Sequence, residues 1–89
     1  MRAVITVVGT DRVGILAGVS AICSQSGMNV EAVTQSILQD IFAMVMIVET
    51  TEKSIPFAEF VDKMNAMGQE TGLQIHVMHE DIFNAMHRI

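Results

Sequence analysis

The sequence predicts an α+β domain whose elements follow the order βαββαβ, with a short helix at the end. Runs of β-branched and other apolar residues alternate with segments in which apolar residues recur every three or four positions. Glycines stand where the two longer helical segments should end, and no linker or repeat interrupts the alternation. We expect one domain over residues 1–89, with the βαββαβ core in 1–78 and the helix in 79–89.

The first half of the chain predicts a strand, a helix and a second strand. The β-branched run Ala3–Val8 predicts the first strand, and Gly27 is placed to end the helix that follows. Asn29–Leu38 alternates loosely and predicts the second strand. The apolar stripe of the helix consists of Ile15, Leu16, Val19, Ile22 and Cys23.

The second half repeats this pattern. Gln39 and Asp40 predict a tight turn before the strongly apolar strand Ile41–Glu49. Ser54 and Pro56 open a second helix, which Gly72 ends. Leu73, Ile75 and Val77 alternate with polar neighbours in a last strand, and Glu80–Ile89 predicts the terminal helix. The stripe of the second helix consists of Phe57, Phe60, Val61, Met64 and Met67.

This order is that of a ferredoxin-like sandwich with an antiparallel sheet in the strand order 4-1-3-2. The composition of the strands agrees with it, because the first and third are apolar on both faces whereas the second and fourth are mixed, as edge strands are. Two crossover helices cover only one face of such a sheet. We therefore expect the terminal helix, a second copy of the chain, or both to cover the other face, and a homodimer is the simplest arrangement.

Composition and charge exclude several classes of protein. The apolar run Ile41–Val48 is far shorter than the ~20 residues that a membrane span needs. The net charge is −5 and the five basic residues are scattered, which argues against nucleic acid as a partner. Arg2 and a strand follow Met1 directly, so no signal peptide is expected. One cysteine permits no internal disulfide, which fits a cytoplasmic protein.

The most informative segment lies between the first strand and the first helix, and reads Gly9-Thr10-Asp11-Arg12-Val13-Gly14-Ile15-Leu16. A helix N-terminus has unpaired N–H groups that can receive a small anion, here together with Arg12. Asp11 can pair with an ammonium group, and the amide of Asn29 can both donate and accept hydrogen bonds. Gly14 lets a ligand approach the backbone, and we expect a side chain there to cost the fold little.

The spacing Gly9-x-Asp11-Arg12-x-Gly14-Ile15-Leu16, with Gly27-x-Asn29-Val30 opening the second strand, resembles the ACT domain. The resemblance covers residues 1–78 and, with the tail from Asp81 to Ile89, extends to small single-domain ACT proteins. Val13 departs from the pattern, because many ACT loops have proline there. The resemblance implies a βαββαβ module that senses amino acids or related metabolites.

The resemblance also implies a ligand site near the first loop and the start of the second strand, often at a subunit interface. Carried over by position, one wall consists of Asp11, Arg12, Gly14, Ile15 and Leu16, and the other of Asn29 and Val30.

Each of these residues also has a purely structural interpretation. Asp11 can be the N-cap of the helix, and Arg12 a solvated loop charge. Gly14 can serve close packing of helix on sheet, and Asn29 can stabilise the turn after Gly27.

No catalytic, metal or cofactor site is predicted. His76, His79 and His87 are spread over a strand, a junction and a helix, without a second ligand motif. Cys23 lies among apolar neighbours and lacks a CxxC motif, so it is predicted to be a core residue. Phe42 is the one aromatic residue on the central strands, where an RNA-binding domain of this topology needs stacking rings.

The sequence therefore favours a non-enzymatic regulatory homodimer that binds an amino acid or related metabolite and passes the signal to a protein partner. The alternative is a ligand-free assembly module that docks onto another protein. An acylphosphatase-like enzyme is a more distant alternative, for which only Arg12 and Asn29 are available.

Overall fold

In a computed structural model, described here for residues 1–86, the chain forms a four-stranded sheet with three helices. The predicted βαββαβ order is confirmed, and the terminal helix follows directly after the last strand. The elements are β1 (Arg2–Thr10), α1 (Ile15–Gln25), β2 (Met28–Leu38), β3 (Ile41–Thr50), α2 (Phe57–Thr71), β4 (Gln74–His79) and α3 (Glu80–Met86).

The sheet has the order β2-β3-β1-β4, which is the predicted order read from the other edge. All three strand pairs are antiparallel, and β1 and β3 occupy the centre. Gln39 adopts φ 59° in the two-residue turn between the paired residues Leu38 and Ile41. A register shift between Val30 and Ala32 interrupts the ladder near the start of β2.

The core lies between α1, α2 and one face of the sheet. The alternation in β3 is as predicted, because Phe42, Met44, Met46 and Val48 are buried in this core whereas the side chains between them lie on the opposite face. Ile15, Val19 and Cys23 of α1 and Phe60 and Met64 of α2 complete its centre. Leu16 differs from the prediction, since 36% of it is exposed at the rim of the α1 stripe.

The second face of the sheet is only partly covered by α3. This helix packs against β1 and β4, and Val4 beneath it is 2% exposed. An ion pair of 2.6 Å between Arg2 and Glu80 fixes the first residue of the helix. The prediction of a helix over 79–89 is confirmed for Glu80–Met86, and residues 87–89 lie outside the described part of the chain. On the uncovered part of this face, Val8, Ile41 and Val45 remain 39–51% exposed.

Gly27 forms a corner that is closed by hydrogen bonds from the segment after β3. It follows the last turn of α1, as predicted, with φ 76°. Its carbonyl accepts hydrogen bonds from Thr51 Oγ1 at 2.8 Å and Ser54 Oγ at 2.7 Å. A Cβ at this position would stand 2.5 Å from the carbonyl oxygen of Lys53. The corner therefore requires glycine both for its backbone conformation and for space.

Gly27 and Gly72 form a matched pair, because both have φ 76° but only Gly27 is crowded. Gly72→Ala should cost about 1–2 kcal/mol for the left-handed backbone alone. Gly27→Ala should cost a further ~1–3 kcal/mol, because backbone atoms must move. Denaturant unfolding of the two variants measures the difference, and equal losses would contradict the assignment of the Gly27 corner.

Candidate functional site

The loop from Asp11 to Gly14 leaves the centre of the sheet and begins α1. The backbone N–H of Asp11 donates to the carbonyl of Asp40 at 2.8 Å, which ties the loop to the β2–β3 turn. Gly14 is the N-cap residue with φ 90°, and its carbonyl accepts the first helical bond from Gly18 at 2.9 Å. The interpretation of Asp11 as the N-cap is wrong, because the N-cap is Gly14, three residues further along the chain, and no side chain caps the helix.

Gly14 is open to solvent on the side where a side chain would stand. Apart from its two chain neighbours, no described residue has a heavy atom within 4 Å of where a Cβ would stand. Packing of helix on sheet therefore does not explain the glycine. The expectation that a side chain costs little here is also wrong, because φ 90° is strained for any L-residue by about 1–2 kcal/mol.

The start of α1 presents unpaired donors beside this open space. The first N–H groups of a helix have no partner within it and carry a partial positive charge. Ile15 is 4% exposed, so only its backbone is available to a ligand, whereas Leu16 is 36% exposed. Asp11 and Arg12 are exposed, and the carboxylate of Asp11 has no ion pair within the described residues.

Arg12 is directed away from β2 and towards the end of α2. Its guanidinium donates a hydrogen bond to the carbonyl oxygen of Thr71, the last residue of that helix. A cavity of about 320 Å³ lies on one side of it, lined by Thr10, Asp11, Arg12, Thr71, Gly72 and Leu73. A second cavity of about 220 Å³ is lined by Arg12, Val13, Gly14, Ile15, Met67, Thr71 and Leu73.

The residues of the α2–β4 turn are absent from the predicted site, although Leu73 lines both cavities and Gly72 lines the larger one. Their position near the loop could have been predicted from the strand order. With β4 antiparallel to β1, the start of β4 lies beside the end of β1, as the pair Val8–Gln74 shows. The turn before β4 therefore adjoins the loop after β1.

The two predicted walls do not meet within one chain. Asn29 pairs with Glu49, which pairs with Arg2 at the beginning of β1, whereas the loop begins after Thr10. The walls are about 26 Å apart along the strands, at ~3.3 Å per residue. Val30 pairs with the core residue Val48 and shares the helix-covered face, whereas the side chain of Asn29 lies on the opposite face.

This separation also bears on the enzymatic alternative. An acylphosphatase-like site needs Arg12 and Asn29 on the same phosphate, but they lie at opposite ends of the sheet.

Within residues 1–86, no three His, Cys, Asp or Glu residues are grouped so that they could hold a metal ion. None of the helices described has the length and apolar character needed to cross a membrane.

Comparison with known proteins identifies the family. The model of the ACT domain matches residues 2–78. The chain belongs to the ACT domain family. ACT domains are regulatory, ligand-binding modules rather than catalytic ones.

Similar proteins include small single-domain members. A UPF0237 protein of Methanopyrus kandleri is 41% identical over 88 residues, which cover 99% of this chain and 98% of that protein. An ACT domain protein from Streptococcus pneumoniae is 34% identical, covers 93% of both chains and has a TM-score of 0.79. A protein assigned as a candidate glycine cleavage system transcriptional repressor is 25% identical, with a TM-score of 0.72, and the match covers 89% of this chain and 47% of that one.

Cys23 is confirmed as a core residue. It is fully buried, its Sγ lies 3.8 Å from Sδ of Met46, and burial raises the pKa of its thiol from 9.0 to about 11. A protonated, inaccessible thiol is a poor nucleophile.

The Cys23 thiol should accordingly react with a disulfide reagent at pH 8 only when the protein unfolds. We expect no labelling of the native protein and one labelled thiol per chain in denaturant. Stoichiometric labelling of the native protein within seconds would show that Cys23 is exposed and activated.

Proposed function

We propose that this ACT domain is a cytoplasmic homodimeric sensor, which binds an amino acid or related metabolite at the β1–α1 loop and passes the signal to a protein partner. The observation that carries the proposal is the uncapped start of α1 at Gly14, open to a ligand and flanked by the charges of Asp11 and Arg12. Helix N–H groups and a guanidinium can receive a carboxylate, and the Asp11 carboxylate can pair with an ammonium group.

A second copy of the chain supplies the other wall in this proposal. The edge strand β2 has 11 residues without lysine or proline, and Val33, Ile37 and Leu38 are exposed along it. Such an edge is a template for pairing with another strand. When two β2 strands pair antiparallel about a two-fold axis, the Asn29 end of one lies beside the Leu38 end of the other. Asn29 and Val30 then approach the β1–α1 loop of the second copy.

Ligand binding changes the stability of the dimer, and this provides the signal. A ligand that favours one dimer arrangement over another shifts the population by its difference in affinity for the two.

The alternative of a ligand-free assembly module is favoured by the apolar surface that α3 leaves uncovered, where Ile82 and Met86 are also exposed. A protein partner could cover this surface without any ligand.

A thermal-shift screen of the twenty amino acids and common metabolites tests the sensor. A ligand at ~100 times its Kd should add about 2.7 kcal/mol to the stability of the protein. Leu16→Asp should abolish the shift, because its carboxylate repels a bound carboxylate. The free protein should stay folded, since an acidic residue at a helix start offsets part of the apolar contact that is lost.

Two further variants serve that screen. Asn29→Ala should weaken binding by about 1–3 kcal/mol, as expected for the loss of a hydrogen-bond partner in a desolvated site. Ile82→Asp is the control for the charge, because Ile82 is also exposed near a helix start but lies on α3, away from the β1–α1 loop and from β2. No shift with any compound, or an unchanged shift in Leu16→Asp, would favour the assembly module.

Two valines with the same exposure distinguish the dimer surfaces. Val33 on β2 and Val45 on the uncovered face of the sheet are each 39% exposed. Val33→Lys should give a monomer at micromolar concentration, because it places like charges across paired β2 edges. Val45→Lys should remain dimeric.

Sedimentation of both variants and the wild type provides the measurement. A dimer that survives Val33→Lys but dissociates with Val45→Lys would place the interface on the sheet face instead. A well-folded wild-type monomer at this concentration would exclude the homodimer.

A further inference from the structure

Arg12 caps the C-terminus of a helix that lies 59 residues away in the sequence. The last turn of α2 contains Glu70 and no basic residue, although a helix C-terminus is stabilised by positive charge. Two of its terminal carbonyls have local partners, since Gly72 N–H donates to Gly68 and Thr71 Oγ1 to Met67. The carbonyl of Thr71 is instead satisfied by the Arg12 guanidinium.

The side chain of Arg12 also borders two cavities. The cavities of about 320 and 220 Å³ share Arg12, Thr71 and Leu73 in their linings, and they differ in that one includes Asp11 and the other Gly14. Withdrawal of the guanidinium from Thr71 would therefore open space on both sides of the contact. The Arg12 side chain connects the β1–α1 loop to the last residue of α2, and because it is exposed it can adopt another position.

We infer that Arg12 is a latch, so that a carboxylate bound at the β1–α1 loop draws its guanidinium from Thr71 and releases the α2–β4 turn. This inference rests on the proposed function for the presence of the ligand. A bidentate bond to a carboxylate is stronger than a bond to a neutral carbonyl, and this difference drives the exchange. Arg12 is a positioning residue of α2 in the free protein and a ligand contact in the bound one.

The released turn changes the edge of the sheet. Gly72 and Leu73 connect α2 to β4, and both also line a groove of about 470 Å³ between that helix and that strand. A ligand bound at the β1–α1 loop thereby changes the structure at the β4 edge, which is the edge opposite the proposed β2 interface. Ligand binding and its readout thus use different edges of the sheet.

Amide resonances of the ¹⁵N-labelled protein test the latch, with sodium acetate as the probe and sodium chloride at the same ionic strength as the reference. In the wild type, acetate should move the amides of Ile15 and Leu16 and those of Gly72 and Leu73 with one common Kd. In Arg12→Gln without acetate, the turn amides should already be displaced in the same direction, and acetate should move them no further.

The second readout is hydrogen exchange in the absence of any ligand. Arg12→Gln should accelerate exchange at Gly72 and Leu73 by about two- to fivefold, as expected for the loss of a charge at a helix end. Arg2→Gln is the matched control, because Arg2 is also an exposed arginine, but its guanidinium pairs with Glu80. It should leave exchange at the turn unchanged.

The latch is overturned if acetate moves the loop amides without the turn, if it moves neither, or if Arg12→Gln leaves exchange at the turn unchanged. These outcomes are distinct from failure of the proposed function, which the thermal-shift screen decides. An amino acid that stabilises the protein without moving Gly72 and Leu73 would retain the sensor and exclude the latch.

Discussion

The structure depends on the pairing of β1 with β3 at the centre of the sheet. Both strands are apolar on both faces, so each face of this pair must be removed from water. α1 and α2 cover one face and bury the methionine-rich row of β3, whereas α3 covers the other face only around Val4. The same constraint that positions the three helices thus leaves an apolar surface on the second face of the sheet.

The length of β1 determines where ligand contacts can lie. The loop with Asp11 and Arg12 follows its end, whereas its beginning lies at the same end of the sheet as the Gly27 corner and the start of β2, with β3 between them. A nine-residue strand separates the two glycine corners, so one chain cannot close a small ligand between them. In the proposed dimer, antiparallel pairing of two β2 edges places the Asn29 end of one chain and the β1–α1 loop of the other at the same end of the joined sheet.

The fold could be predicted from the sequence because its signals are local and agree with one another. The glycines at 27 and 72 end helices, the alternation in β3 sorts buried from exposed side chains, and the apolar character of β1 and β3 identifies the central strands. The cap of α1 was less accessible, because Asp11 and Gly14 are both common at helix starts and only the backbone dihedral decides between them.

The candidate site was predicted less completely than the fold, since its geometry depends on residues that are distant in sequence. The contact between Arg12 and Thr71 follows from the register of β4 against β1, which hydrophobic periodicity does not specify. The separation of Asn29 from the loop follows from the direction of β2. A resemblance between sequences transfers residues one at a time and does not indicate whether they belong to one subunit or two.

Binding by mixed dimers is the most direct test of a ligand site shared between two chains. Leu16→Asp disrupts the loop wall and Asn29→Ala the β2 wall, so neither homodimer should bind the amino acid that stabilises the wild type, at a concentration chosen to leave each variant unoccupied. Unfolding the two variants together and refolding them should restore about a quarter of the wild-type sites in calorimetric titration, because half of the dimers are mixed and each has one intact site. A mixture that binds no more than its separate components would place the whole site within one chain and contradict this account.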